Sequence, residues 1–404
     1  MAAGRALQVD AVLDGNVQRL ADRIRVTVRL VSTKDGATLW ADKFDEKFTD
    51  LFAVEDKLSE RLANTLALQL TGEEKQLLAK RYTENVEAYQ AYLKGRFFWS
   101  KWTKESLLKA LAAFEQALQL DPNYAPAHAG VADAHNLLGY LVFVPPREAF
   151  PKSEAAAREA LRLDDKLGEA HLSLAKTKFF YDWDWPGFER EIQRALELSP
   201  NFADVHSMHG TYLMAMGKFD EALAERKRGL ELDPLSPFFH VNVGWSYFYK
   251  HEYDQAIEWY KKALELDPHY RLAQEDLGTA LLQKGDYEQA LPILLKVRAE
   301  MGESQANLDA LRQAYITAGK AGYWRKELEL AEEKAKQGTP LNRWRMARIY
   351  AALDDKDQAF ATLEKAYEER NGLIVFVGVV PFFESLHSDP RFEHLLRRIG
   401  LAQG

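Results

Sequence analysis

SPFFHVNVGWSYFYKHEYDQAIEWYKKALELDP, residues 236–268, is the stretch that decides the fold. Pro234, Ser236 and Pro237 punctuate its start, and Phe239, Val243 and Tyr247 then recur at spacings of about four, which predicts one face of a first helix. His251 and Glu252 interrupt the pattern. Ala256, Ile257, Tyr260, Ala263 and Leu264 form a second apolar stripe, closed by Asp267 and Pro268, where a helix cannot easily continue. Gly244 and Ala256 are small where their neighbours are large, so the two helices can approach closely and interlock around the aromatic rings. The unit reads as a helical hairpin.

The same grammar returns at a period of about 34 residues, the length at which one hairpin stacks on the next and buries a face it cannot bury alone. Gly210, Ala222, Gly229 and Pro234 match Gly244, Ala256, Ala263 and Pro268, and Gly278 with Ala290 begins a third copy. At these residues the chain resembles the tetratricopeptide repeat (TPR) family, whose pattern is a small residue in the first helix, Ala and an aromatic in the second, and a terminal Pro. The resemblance implies an α-solenoid and specifies architecture, not chemistry.

Composition bounds the reading. The chain has 404 residues, 47% hydrophobic and 28% charged, enough for a substantial core. A formal net charge of -8 lacks the basic footprint of a nucleic-acid-binding surface, so no nucleic-acid partner is expected. With no cysteine, disulfides, thiolate zinc sites and cysteine nucleophiles are excluded together. Neither a leader-like apolar core near Met1 nor a run long enough to span a bilayer is present, so the expected location is the cytoplasm, or the periplasm if a membrane segment precedes Met1.

Residues 1–71 do not share the repeat grammar. From Arg23 to Val31, Ile24, Val26, Val28 and Leu30 alternate with polar residues, predicting a half-buried strand. Val9 to Val17 reads as a preceding strand, Lys34, Asp35 and Gly36 as a turn, and Thr38 to Phe44 as the return strand. Phe52, Leu58, Leu62, Leu66 and Leu70 then fall on a helical stripe suited to covering the sheet. The wording VDAVLDGNVQR, RIRVTVRLVSTKDGATLWADKFD and DLFAVEDKLSERL resembles the second half of a TolB amino-terminal-like domain, from about Gly4 to Leu70. That resemblance implies a strand and helix ahead of Met1, and hence a truncated α+β module whose unpaired sheet edge invites self-association.

The fold class expected is mainly α: a TPR-type α-solenoid preceded by this small α+β domain. A charged linker occupies residues 72–86, the TPR array 87–300 with about six hairpins, degenerate hairpins 301–380, and a C-terminal cap 381–404. The second hairpin carries VFVPPREAFPK as an expected enlarged loop. Beyond Val297, Leu308 to Ala318 with Tyr323 to Lys336, and Trp344 to Leu353 with Gln358 to Arg370, keep helical lengths and stripes. The third hairpin contains YDWDWPGFEREIQRALELSPN, which resembles the corresponding repeat of bacterial proteins that join such arrays to winged-helix, nucleotide-cyclase or protein-kinase modules. The tail VVPFFESLHSDPRFEHLLRRIGL resembles that family's closing segment and is expected to cap the last exposed face.

Candidate chemistry is sparse. His128, His171, His206 and His240 recur at equivalent places, and His206 with His209 has a spacing that puts two ligands on one face, yet stacked hairpins hold such places too far apart for metal bonds of about 2 Å. Packing is the expected role. Glu189 with Glu191, and Glu329, Glu332 and Glu333, read as solvated helix faces rather than acid and base pairs. No phosphate loop, nucleophile elbow or H-E-x-x-H helix occurs, and no enzyme, cofactor or metal is expected. Trp183 and Trp185, between Asp182 and Asp184, resemble a cation cage but are expected to fill a widened joint.

The concave side of the stack remains. Residues one face away from the packing stripe predict a groove of Asp133 and Asn136, then Lys176, Phe179 and Phe180, then Thr211 and Met214, then Trp245, Phe248 and Tyr249. These lack most donors of a Lys, Asn and Arg carboxylate clamp and suit an apolar or amphipathic peptide of a protein partner. The sequence thus reads as a non-catalytic interaction scaffold of a bacterial signalling protein. The alternative is the regulatory C-terminal fragment of a transcription regulator, adenylate or guanylate cyclase or Ser/Thr kinase whose output domain lies elsewhere.

Overall fold

The computed structural model describes residues 9–21, 23–47, 57–58, 61, 80–337 and 341–401. Two compact units result, one from the described residues within 1–94 and 115–124, the other from 95–114 and 125–401.

In the first unit, β1 (Ala11–Leu20), β2 (Arg23–Ser32) and β3 (Thr38–Lys47) form an antiparallel sheet in the order β1-β2-β3. Val26 faces Val17 on one side and Phe44 on the other, and the β2–β3 register shifts between Leu30 and Val31. The alternation along β2 has its physical counterpart: Ile24, Val26, Val28 and Leu30 are buried, while Arg23 and Arg25 both pair with Asp45 on the wet face. Leu58 packs on the buried face. The other positions of the expected covering helix, Phe52, Leu62, Leu66 and Leu70, lie outside the described residues. On β1, Leu13 and Val17 are exposed.

Helices α1 (Val86–Trp99) and α2 (Lys104–Leu120) open the helical array. Hairpins follow: α3 (Ala125–Tyr140) with α4 (Pro146–Leu163), α5 (Gly168–Thr177) with α6 (Trp185–Leu198), α7 (Ala203–Ala215) with α8 (Phe219–Leu232), α9 (Pro237–Tyr249) with α10 (Tyr253–Leu266), and α11 (Arg271–Lys284) with α12 (Tyr287–Glu300). Then come α13 (Gln305–Lys336), α14 (Arg343–Ala352) with α15 (Lys356–Glu368), two 3₁₀ turns (Gly372–Phe376 and Pro381–Leu386), and α16 (Pro390–Ile399). Ala318 and Gly319 leave helical geometry and break α13 in two.

The 34-residue period is visible in the backbone itself. Gly217, His251 and Gly285 all take left-handed φ at the turn inside their hairpins, and the following N–H groups of Lys218, Glu252 and Asp286 reach back to the carbonyls of Leu213, Tyr247 and Leu281. These are six-to-one helix terminations, which satisfy carbonyls the helix leaves unpaired. Side-chain packing repeats as well. A β-carbon on Gly244 would stand 2.4 Å from the Tyr260 ring, and one on Gly95 equally close to Phe114. Helix α9 is buried on more faces than its Phe239 and Val243 stripe predicts, because α7, α8, α10 and α11 all pack around it.

Two expectations are corrected. The enlarged loop of the second hairpin is short, since PREAFPK is the first part of α4: Pro146 stands at the first helical position, where its missing N–H is no loss. The C-terminal segment does more than cap the last hairpin. It packs back on the third hairpin, about 200 residues earlier in the chain, through one continuous apolar cluster that joins Phe179, Phe180, Trp183 and Phe188 to Phe360, Ile374, Phe376, Phe383 and Leu395. The Trp185 indole donates to the Ile399 carbonyl at 3.1 Å, Arg370 donates to the Tyr181 carbonyl at 3.2 Å, and Arg147 donates to the Glu368 carbonyl at 2.9 Å. The receiving surface is made by a π turn, Lys178–Asp182, which ends at Trp183 with φ +59°. One extra residue in that turn carries Phe179 and Phe180 past the regular helical stripe.

Two outcomes are expected. Gly244→Val, which drives a methyl into Tyr260, should destabilise by about 1–3 kcal/mol and loosen α9, α10 and their neighbours first. Hydrogen exchange that rises uniformly from residue 125 to 399 would contradict nearest-neighbour stability. Phe376→Ala, at a ring 4% exposed, should cost about 3–5 kcal/mol. Exchange should then increase together in residues 178–188 and 372–399, and a loss confined to the C-terminal side would refute the closure.

Candidate functional site

The second unit leaves a half-open cavity of about 460 Å³ on its concave side. The size falls in the range of small-ligand sites. First helices supply Asp133, Lys176, Asp204, Thr211, Trp245 and Asp276; the second helix α8 supplies Arg226; and the returning C-terminal part supplies Trp344, Arg345, Arg348 and Phe376. Trp99, Trp102 and Phe238 close one end, with the Trp102 and Phe238 rings 4.9 Å apart.

The predicted groove residues divide. Asp133, Asn136, Lys176, Phe180, Thr211, Met214, Trp245 and Tyr249 all line the cavity. Phe179 has no exposed surface and is held among Phe188, Tyr212 and Phe376; Phe248 is 6% exposed, packs against Tyr253 and borders a separate space of about 90 Å³. Both are displaced from the groove because the stripe of each first helix is wider than one face. Several lining residues are already engaged by protein. The Asn136 amide donates to the Ser173 carbonyl and accepts from Thr177, and Asn242 donates to the Phe238 carbonyl and accepts from Ser207. These amides tie neighbouring hairpins together instead of waiting for a peptide backbone.

Charge in the cavity follows the same accounting. Asp133 receives Lys176 at 2.8 Å and Arg96 at 3.7 Å, Arg271 pairs with Glu275, and Arg345 pairs with Glu327, which Arg298 also reaches. The last of these carboxylates is held down to about 2 by its two guanidiniums, despite burial that opposes ionisation. Asp276 has a different setting. Its carboxylate accepts from the Trp245 indole at 2.7 Å, but loss of water around it pushes its pKa up to about 7. Burial likewise raises Asp204. Burial lowers Arg226 and Arg348 to about 10, and neither has a carboxylate within 4.0 Å among the described residues.

The other candidates have structural partners. His171, His206 and His240 each place Nε2 at a carbonyl six residues earlier, those of Asp165, Pro200 and Pro234, and Gln274 does the same to Pro268. The histidine row staples the turn that precedes each hairpin. His206 and His209 share Glu225, Glu191 receives His171, and Glu189 accepts from Tyr212. Trp183 fills the closure joint against Tyr367 and also carries the Arg370 guanidinium 4.1 Å above its ring, so the cation it meets comes from its own chain.

Sequence reasoning passed over Arg226, Asp276, Arg348 and the Trp99 to Trp102 end. One signal was available: Arg226 occupies the repeat position that holds Tyr260 and Leu294 in the next two hairpins, where a cation is out of place. Arg348 gave none, since only the closure brings it inward.

With this geometry in hand, the comparisons with known proteins bear on the repeats. Tetratricopeptide repeat descriptions match residues 237–270 and 343–371. The chain carries tetratricopeptide repeats. A protein of Rhizobium meliloti (strain 1021) named "Putative adenylate cyclase 3" is 28% identical over 176 residues, which is 42% of this chain and 29% of that protein. The matched part therefore spans less than a third of that relative's length. Among solved structures, the human IFIT1 dimer with m7Gppp-AAAA superposes with a TM-score of 0.51 at 18% identity, covering 87% of this chain and 81% of that one. That likeness is one of fold. TTC0263, a TPR protein of Thermus thermophilus, gives a TM-score of 0.41 at 20% identity and covers 48% of this chain and 99% of its own.

The Asp276 environment makes a pH prediction. Its carboxyl goes from an ordinary 3.8 to about 7 on folding, so the folded state holds the proton more tightly across that window. The associated stability is fully present below about 3.8 and is lost as pH rises through about 7. Asp276→Asn should flatten the fall in denaturant midpoint between pH 4 and 7; an unchanged slope would assign the titration to another group.

Proposed function

We propose that this chain is the non-catalytic recognition part of a bacterial signalling protein, and that its concave chamber receives a short apolar or amphipathic segment of a protein partner. The observation that carries the reading is the chamber itself: Trp102, Phe238, Trp245 and Tyr249 offer rigid contact area beside ionisable groups, and the C-terminal return encloses them. At about 460 Å³ it holds one or two side chains and a chain end, so the partner contributes a tip and not a whole helix. Glu191 and Glu225 are engaged by His171 and His206, Glu189 by the Tyr212 hydroxyl, and Glu275 by Arg271.

The relative named as an adenylate cyclase supports placement in signalling, with this chain as the regulatory portion and output chemistry carried by another part of such a protein. The amino-terminal sheet is read as part of a TolB-like module that joins the two, and its exposed Leu13 and Val17 as a surface for self-association. No described helix is long and apolar enough to cross a membrane.

The test uses peptides selected by display against the parent chain. Trp102→Ala with Trp245→Ala should weaken binding by about thirtyfold or more, the effect of losing a hot spot worth about 2 kcal/mol, while circular dichroism keeps the helical signal. Calorimetry that finds parental affinity in the double variant would place the partner surface elsewhere.

A further inference from the structure

Arg226 is the residue that the repeat does not explain. It is 0% exposed, and a β-carbon on the small residue opposite it, Gly210, would stand 2.8 Å from its side chain, against 2.6 Å for Gly278 and Leu294 and 2.4 Å for Gly244 and Tyr260. An apolar side chain meets that packing need in the two following hairpins. The guanidinium is therefore additional, and a buried cation without a counter-charge is disfavoured unless something compensates it. Its Nη1 donates to the Asn242 carbonyl at 2.9 Å and to the Ser246 hydroxyl at 3.4 Å, its Nη2 donates to the Thr211 hydroxyl at 3.3 Å, and its Nε has no partner. The Trp245 ring lies 5.7 Å from the guanidinium carbon.

Arg348 faces the same chamber from α14. It stacks 3.7 Å over Phe382 and forms no hydrogen bond or ion pair among the described residues. The chamber's other cations are matched: Lys176 by Asp133, and Arg345 by Glu327. Glu275 is matched by Arg271; Asp276 accepts from the Trp245 indole and lies in the field of Arg348 without coming within 4.0 Å of it, and Asp204 has no cation within 4.0 Å among the described residues. Two guanidiniums are thus left facing a chamber with aromatic walls.

We propose that the chamber binds a carboxylate carried on a compact aromatic or branched apolar body, the carboxylate received by Arg348 and held in the field of Arg226, the body laid against Trp102, Phe238 and Trp245. This rests on the chamber being the recognition site, and it names the chemistry of what enters. A guanidinium offers a planar fork that matches a carboxylate, and the surrounding low dielectric strengthens the contact. Two sources present such a group, the carboxyl end of a peptide and a free aryl acid.

Four probes separate the outcomes: indole-3-propionic acid, its primary amide, a randomised tetrapeptide pool with free carboxyl ends, and the same pool amidated. Each is equilibrated with the full chain by dialysis, and bound species are identified by mass spectrometry. The acids should bind at least tenfold more tightly than their amides. Arg348→Gln should erase that difference while keeping amide binding, and Arg226→Leu, which copies Leu294, should reduce it. Retention of the acid pool alone assigns a peptide end, and retention of the single acid assigns a free aryl acid. Equal binding of acids and amides overturns the carboxylate and leaves the recognition site standing. Failure of all four probes overturns the chamber reading, and the carboxylate falls with it.

Discussion

The contact on which this architecture depends is the apolar joint between the π turn at Lys178–Asp182 and the C-terminal 3₁₀ turn at Gly372–Phe376. Stacked hairpins need only their neighbours, so a solenoid ordinarily leaves its concave face open to water. Here Phe179 and Phe180 meet Phe376 and Gly372, and a β-carbon at Gly372 would stand 3.3 Å from that of Phe180. A side chain there would have to push Phe180 back by a few tenths of an ångström. Trp344 belongs to the apolar cluster of this joint, and Arg348 on the same helix lines the cavity.

Polar groups reinforce the joint by satisfying backbone ends. Carbonyls at Ile399 and Glu368 belong to helix termini, which have no partner within their helices. Trp185 and Arg147 fill those valences from the third and second hairpins, and Arg370 reciprocates toward the carbonyl of Tyr181 in the π turn. Each bond is modest, about 1 kcal/mol net, and the one at Ile399, a buried residue, also avoids leaving its acceptor unpaired. The apolar cluster provides most of the stabilisation, and the hydrogen bonds fix the register in which the two ends meet.

Hairpin architecture was legible in residues 236–268 because every signal there agrees: Pro237 at a helix start, Gly244 opposite Tyr260, and Ala256 and Ala263 at the crossing. Most of the concave row was legible too, since Asp133, Lys176, Thr211 and Trp245 follow from counting along repeats. Phe179 and Phe248 were misplaced because one helical face was assigned to packing, whereas first helices here are packed on several sides. The closure was not legible. Its determinants, the π turn and two 3₁₀ turns, have no hydrophobic period, and the partners they join lie in distant parts of the chain. Arg226 was legible only by comparison with Tyr260 and Leu294, since a cation in a helical stripe otherwise looks solvated.

Chamber and joint share residues, which has an energetic consequence. Phe180 and Phe376 lie in the apolar cluster of the closure and also line the cavity. Arg348 lines it from a helix that the return positions. Any ligand that touches these groups binds the closed arrangement in preference to an open one, and linkage requires that it stabilise closure by the same free energy. The converse also holds: a partner that gripped the C-terminal turns apart would lower affinity in the chamber. An array of hairpins coupled only to neighbours would transmit occupancy along one direction of the stack. Joining residue 399 to residue 185 adds a second route, so that the third hairpin and the last respond to the chamber together.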